Sequence, residues 1–367
     1  MAKRGGKASG AGLMRSLVKL GRTQQRAAGK MMVGLLSLPA VTAAPARKTV
    51  RKPAAKRTAA APVAPGKWLL GHETVAAPGV PPRRMSYWLY LPHAVPEEAL
   101  RDGLPLVLML HGCQQTATEF AQGTRMNLLA EKKGYAVLYP QQSISVHAHR
   151  CWRWFDRATQ AGGGDVQPIA TVLAKVLRQY PIDRRRVYAC GISAGAGMAN
   201  IMALNYPDII AAVGLHSGPV FGAGNGAIGA LGVMQHGGGI RAVEAIREVL
   251  ARRAEFPLMP TIVLQGAGDS VVRAVNQGQL VQQSLLLNGL PPHTPPRIRI
   301  EPAGRRGNRN GHVIRDYYLG RKLVVREAHI DALEHAWSGG DERLAFNAKA
   351  GPDASRMMLE FFAKHRR

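Results

Sequence analysis

The chain has 367 residues, 46% of them apolar, enough to bury one large core with an appendage beside it. Its three cysteines are too few for a disulfide framework and show no zinc spacing, and no apolar run reaches the roughly 20 residues that cross a bilayer. The formal charge of +26 is uneven: residues 1–66 hold fourteen Lys and Arg and no Asp or Glu, which leaves 35 basic against 23 acidic residues in 67–367.

Residues 1–66 therefore read as a basic low-complexity extension, separate from a catalytic domain over 67–367. Leu13, Leu17 and Leu20 fall at helical spacing among Arg15, Lys19 and Arg22 and predict a short basic amphipathic helix. Residues 31–38 are mostly apolar, follow Lys30 and precede Ala43 and Ala44. That is the order of a late signal peptide, although Gly34, Ser37 and Pro39 interrupt it. Residues 45–57 mix Ala and Pro with Lys and Arg, and 59–65 are Ala, Pro and Val only, a linker composition. The tail's charge has two readings: a disordered, solvated extension, or a contact with an anionic surface. No specific nucleic-acid site and no transmembrane segment are expected.

From Trp68 onward the pattern is regular. Residues 85–91 are aromatic-rich and stop at Pro92, which predicts a strand. Residues 106–110 are a continuous apolar run ending at His111-Gly112, the signature of a strand buried on both faces. A strand is predicted over 135–139, a helix over 166–180, a short strand over 186–190, a helix over 194–205 and a strand over 209–215. A strand at 260–264 and a helix at 271–287 follow. Three strands, 298–300, 313–318 and 323–329, then come without helices between them, and 355–364 closes as a helix. Strands alternating with helices imply the α/β class, a mostly parallel sheet covered on both faces. The late strands imply an antiparallel edge.

Gly191-Ile192-Ser193-Ala194-Gly195 lies between a predicted strand and a predicted helix, the setting a nucleophile elbow requires. The turn lifts the Ser193 hydroxyl clear of the sheet. Glycines serve two positions away because side chains there would collide with the turning backbone. The helix start aims the Ala194 amide at a developing oxyanion. His111-Gly112-Cys113-Gln114 follows an earlier strand, where a second oxyanion amide, that of Cys113, is expected. Chain order calls for an acid and then a histidine. Asp269, in a Gly-rich loop after the strand at 260–264, is the expected acid, ahead of Asp208, Asp316 and Asp331. His335, after the last strand, is the expected base, ahead of His329 and His312. His216 precedes Asp269 and is in the wrong order.

Together these stretches resemble the polyhydroxybutyrate depolymerase-type esterases, relatives of feruloyl and acetylxylan esterases. The resemblance rests on Leu110 to Gln115, Gly123 to Asn127, Val137 to Pro140, Cys151 to Phe155, Gly191 to Gly195, Gly266 with Asp269 and Val272, and His335 to Gly340, across roughly residues 85–365. It implies an α/β-hydrolase fold, the triad Ser193, Asp269 and His335, and oxyanion amides at Cys113 and Ala194. It further implies a Cys113–Cys151 disulfide, with Cys190 a buried small hydrophobe. Gln114, Trp152, Trp154 and Trp337 are expected to contact substrate.

The implied activity is hydrolysis of carboxylic esters through an acyl-enzyme, with no metal or organic cofactor. Polyhydroxyalkanoate (hydroxybutyrate) oligomers or polymer lead as substrate, and feruloyl or acetylxylan esters are the alternative. Polymer-degrading members carry a binding domain after the catalytic one. The end of this sequence at Arg367 favours soluble esters and short oligomers. A binding protein on a hydrolase scaffold is disfavoured by the complete order of serine, acid and histidine. The disulfide suits an extracellular or periplasmic place, and a granule-bound cytoplasmic enzyme is the alternative.

Overall fold

The computed structural model describes residues 64–77 and 80–367; the amphipathic helix, the signal-like stretch and most of the linker expected in the extension lie outside the described residues. Ten strands form one sheet. They are β1 (Lys67–Ala77), β2 (Val80–Leu91), β3 (Leu104–Leu110), β4 (Ala136–Gln141), β5 (Ile182–Ile192), β6 (Ile210–His216), β7 (Thr261–Gly266), β8 (Arg297–Glu301), β9 (His312–Leu319) and β10 (Lys322–Ile330). Their order is β1-β2-β4-β3-β5-β6-β7-β10-β9-β8. The six from β4 to β10 are mutually parallel, and antiparallel pairs close both edges.

The run at 104–110 shows why the centre is covered on both faces. All seven of its residues are buried. Leu104, Leu106, Leu108 and Leu110 enter one core, while Val107 and Met109 enter the other. A period of two with apolar residues on both faces requires helices on both. Val166–Gln179 and Ala194–Asn205 cover the first face, and Ala354–Phe362 packs on the second. The late strands do form an antiparallel edge, as their spacing implies.

The structure adds elements the pattern did not reveal. Strand β1 is a half-exposed edge strand of mixed polarity, held by Trp68 stacked on Trp88 at 5.2 Å. Helix Ala117–Thr124 begins with a capping box between Thr116 and Glu119, a spacing legible in Thr-x-x-Glu. Met126–Lys133, Gly226–His236 and Ile240–Ala251 are further helices.

Register matters most for function. Leu110 pairs with Gly191, Ile192 with His216, His216 with Leu264, and Gly266 with Ile330. The strands therefore end almost level, and the loops after β3, β5, β6, β7 and β10 emerge along one carboxyl edge. Because Leu108 fills the first core with no exposed surface, Leu108→Ala should cost about 3 kcal/mol. Urea unfolding measures this, and a loss under about 1 kcal/mol would mean the sheet is not packed as described.

Candidate active site

Ser193 sits between β5 and helix Ala194–Asn205 with φ 56° and ψ −125°, a conformation rarely open to a side-chain-bearing residue. Its amide donates to His216 O (3.0 Å) and its carbonyl accepts from Gly197 N (3.1 Å). The flanking glycines are demanded by space. A Cβ at Gly191 would stand 2.4 Å from Leu110 O and 2.5 Å from the Gly195 carbonyl carbon. One at Gly195 would stand 2.0 Å from Leu110 O. The elbow is thus pressed against the end of β3, where the other loop begins.

That loop is tightly held. Gly112 N donates to Gln115 Oε1 (2.9 Å), Gln114 N to His149 O (2.6 Å) and Gln115 N to Gly112 O (3.4 Å). The amide of Cys113 has no acceptor among the described residues, and that of Ala194 lies in the first helical turn, where amides lack intrahelical partners. A disulfide joins Cys113 to Cys151, 38 residues on, and the neighbouring Trp152 Nε1 donates to His111 O (3.0 Å). His111 accepts Gln142 N at Nε2 (3.1 Å) and so carries its proton on Nδ1, which donates to Gly112 O (2.8 Å). Its side chain fixes the turn.

Asp269 is buried in the loop after β7. Oδ1 accepts the amides of Val271 (3.0 Å) and Val272 (2.9 Å), and Oδ2 accepts Gln265 Nε2 (3.0 Å) and His335 Nδ1 (2.8 Å). Burial pushes its pKa up, but the His335 ring and these donors outweigh burial and hold it below the ordinary carboxylate value. The His335 loop is docked on the Asp269 loop: Ala267 N donates to Ile330 O (2.8 Å) and Gly268 N to Leu333 O (2.9 Å). A Cβ at Gly266 would stand 2.1 Å from Leu333 O. With Nδ1 committed to Asp269, His335 Nε2 is buried and has no hydrogen-bond partner among the described residues.

The rivals are occupied elsewhere. Asp316 is held bidentately by Arg326 (2.7 and 2.6 Å), and Asp208 pairs with Arg253 at the surface. Asp331 is exposed. His329 meets Gln277, and His312 meets the Asn310 carbonyl. Cys190 is buried beside Met109, and burial pushes its thiol pKa well up.

The three tryptophans expected to contact substrate are all buried. Trp152, Trp154 and Trp337 are 0%, 3% and 1% exposed. Trp152 is hydrogen-bonded beneath the loop after β3, Trp154 packs over Gly197, and Trp337 lies between Phe120 and His216. Their rings form part of the two buried cores. Gln114 remains half-buried, with φ 65° and a buried Nε2 lacking a partner among the described residues. His216, set aside by chain order, lies fully buried at the site. The one sequence signal for it was its place at the carboxyl end of β6.

Three comparisons bear on this arrangement. The sequence model of a family described as Esterase PHB depolymerase matches residues 85–303, ending before His335. Poly(3-hydroxyalkanoate) depolymerase C of Paucimonas lemoignei is 28% identical over 217 residues, 58% of this chain and 50% of that protein. The probable acetylxylan esterase A of Aspergillus fumigatus is 35% identical over 133 residues, 36% of this chain and 34% of that protein. The chain spans half or less of the length of these relatives. Among solved structures, the acetyl xylan esterase of Aspergillus awamori superposes with a TM-score of 0.59 at 18% identity, covering 80% of this chain and 99% of that one. That likeness shows the shared α/β-hydrolase fold.

Burial of His111 and His216 predicts a pH dependence. Burial lowers their pKa values from the ordinary 6.5 to about 4 and about 3. Unfolding returns both rings to water, where they take up protons below pH 6.5 that the folded chain does not yet bind. Stability complete above pH 6.5 is therefore lost as pH falls toward 4 and then 3, by up to about 1.4 kcal/mol per pH unit for each ring. Thermal melts from about pH 7.5 to about pH 4.5 should show Tm falling throughout the lower part of the range. A flat Tm would contradict two neutral buried imidazoles.

Proposed function

The chain belongs to the Esterase PHB depolymerase family, and we propose that it hydrolyses carboxylic esters with Ser193 as nucleophile, His335 as base and Asp269 as the orienting acid. The observation that carries this reading is that an Nδ1-committed, Nε2-free His335 and a strained Ser193 lie on the same sheet edge.

Ser193 Oγ attacks the ester carbonyl carbon as its proton passes to His335 Nε2. Charge gathers on the carbonyl oxygen, and the amides of Ala194 and Cys113 receive it. Asp269 stabilises the imidazolium without taking its proton. The tetrahedral adduct collapses, the bond to the leaving oxygen breaks, and His335 returns the proton to the alcohol. Water then attacks the acyl carbon as His335 takes its proton, the bond to Ser193 Oγ breaks, His335 returns the proton to Oγ, and the carboxylic acid leaves.

Hydroxyalkanoate esters, hydroxybutyrate oligomers above all, are the proposed substrates, with Gln114 contacting them. The family and a relative named as a poly(3-hydroxyalkanoate) depolymerase support this choice. Acetylxylan-type esters are the second reading, favoured by the likeness to the Aspergillus fumigatus protein. The disulfide at the oxyanion loop supports an extracellular or periplasmic place. The basic extension is proposed to hold the enzyme at an anionic surface.

Ser193→Ala should lower p-nitrophenyl ester hydrolysis by about 10⁴-fold or more, and activity within tenfold of the parent would remove Ser193 from the reaction. Purified enzyme should release product faster from hydroxybutyrate oligomers than from methyl ferulate or acetylated xylan. The opposite ranking would move the assignment to the second reading.

A further inference from the structure

The stretch from Gly123 to Asn127 carries part of the family resemblance, yet the reaction proposed above uses none of it. It forms the corner between helices Ala117–Thr124 and Met126–Lys133. Arg125 joins the two at φ 55°, in the left-handed region that a side-chain-bearing residue rarely adopts. The segment after the His335 loop docks on this corner, with Asp341 N donating to Gly123 O (2.8 Å). Corner and segment together line a cavity of about 480 Å³. No member of the proposed triad lines it, and neither does Cys113 or Gln114.

The charges around this cavity do not cancel. Asp341 is occupied by Arg343, its Oδ1 accepting from Nε (2.9 Å) and its Oδ2 from Nη2 (2.6 Å). Arg125 lines the same cavity, is exposed, and makes no side-chain hydrogen bond or ion pair among the described residues. Two guanidinium groups thus stand against one carboxylate. Asn127 also lines the cavity and is buried. Its Oδ1 accepts from Tyr139 Oη (2.7 Å), and its Nδ2 has no partner among the described residues. A buried amide donor without an acceptor is costly in a folded chain unless a ligand answers it. Ala121, Leu128 and Leu344 give the wall an apolar part. A ligand matching these features carries anionic oxygens on a small aliphatic body. A carboxylate does so: its two oxygens fit the planar fork of Arg125 and leave a lone pair for an amide donor.

We propose that this cavity binds the carboxylate of a short hydroxyalkanoic acid through Arg125 and Asn127, at a site separate from Ser193. The choice of a hydroxyalkanoic acid rests on the ester-hydrolase reading above; the carboxylate site does not. Two sources share this chemistry, the free acid product and the acid end of an uncleaved oligomer.

Titration calorimetry with sodium 3-hydroxybutyrate tests the site. The parent should bind the acid at least about tenfold more tightly than the neutral 3-hydroxybutyramide. Arg125→Gln should remove that preference, and Arg125→Lys, which keeps the charge and loses the fork, should retain part of it. Asn127→Asp keeps an acceptor for Tyr139 and puts a repelling oxygen where the donor was, so it too should lose the preference. The comparison of acid with amide on the parent needs no variant and carries the test if the variants fail to fold. Labelling Ser193 with an organophosphate should leave the affinity for the acid unchanged.

Equal binding of acid and amide by the parent would overturn the site. So would parent-like binding of the acid by folded Arg125→Gln, or loss of binding once Ser193 is labelled. On Ser193→Ala, a hydroxybutyrate trimer with a free acid end tells the sources apart. Arg125-dependent binding tighter than that of the monomer marks the oligomer end, and binding no tighter marks the free acid. If Ser193→Ala keeps its esterase activity, the ester reading fails while the preference for acid over amide stands. If Ser193→Ala is inactive and the preference is absent, the carboxylate site alone fails.

Discussion

The Leu110 carbonyl, wedged against Gly191 and Gly195, is the contact on which the site depends. It leaves no room for a Cβ at either glycine, so the elbow can approach β3 only with this sequence. That approach sets the distance between two amides that arrive from different strands, those of Ala194 and Cys113. Neither is placed by its own loop alone. The elbow is stiffened by the left-handed Ser193 backbone, and the other loop by the disulfide and by Trp152 beneath it. Strain at Ser193 is tolerated because hydrogen bonds on both sides of the residue, to His216 O and from Gly197 N, over-determine its conformation.

Electrostatics at this edge follow from how completely each polar group is satisfied. Asp269 is buried yet ionised, because backbone amides, Gln265 and His335 all present hydrogens to it. His111 and His216 are kept neutral by burial, each with a defined acceptor role at Nε2. Among these three histidines, His335 alone retains a nitrogen without a partner among the described residues. A buried free lone pair next to an ionised carboxylate partner is costly for folding and useful for proton transfer.

The parts legible in the sequence are those where geometry leaves one residue type. The Gly-x-Ser-x-Gly turn could be read because space permits only glycine at 191 and 195. The buried strand at 104–110 could be read because a doubly covered strand has no polar face. Legibility failed where the same residue type fits two environments. A tryptophan beside a cleft looks the same in sequence whether its ring faces ligand or core, and the three near this site face the core. Strand β1 escaped notice because an edge strand alternates weakly, its Gly71 lying under the Tyr87 ring. His216 was set aside by a rule of chain order. That rule orders the groups that react and says nothing of those that support them.

The groups proposed for the reaction would act on parts common to every ester: the carbonyl carbon, its oxygen and the leaving oxygen. Nothing in the elbow, the acid or the base distinguishes a hydroxybutyrate ester from an acetylated sugar. Discrimination has to come from side chains beside the acyl and alcohol portions. With Trp152, Trp154 and Trp337 committed to the core, Gln114 is the remaining member of the expected contact set with surface to offer. It sits one residue beyond the Cys113 amide, in a left-handed conformation, with its amide on His149 O. Its position is therefore fixed by the same loop that carries the Cys113 amide. A substrate contact proposed for a residue so tied would fall at a constant offset from a carbonyl held by the Cys113 amide.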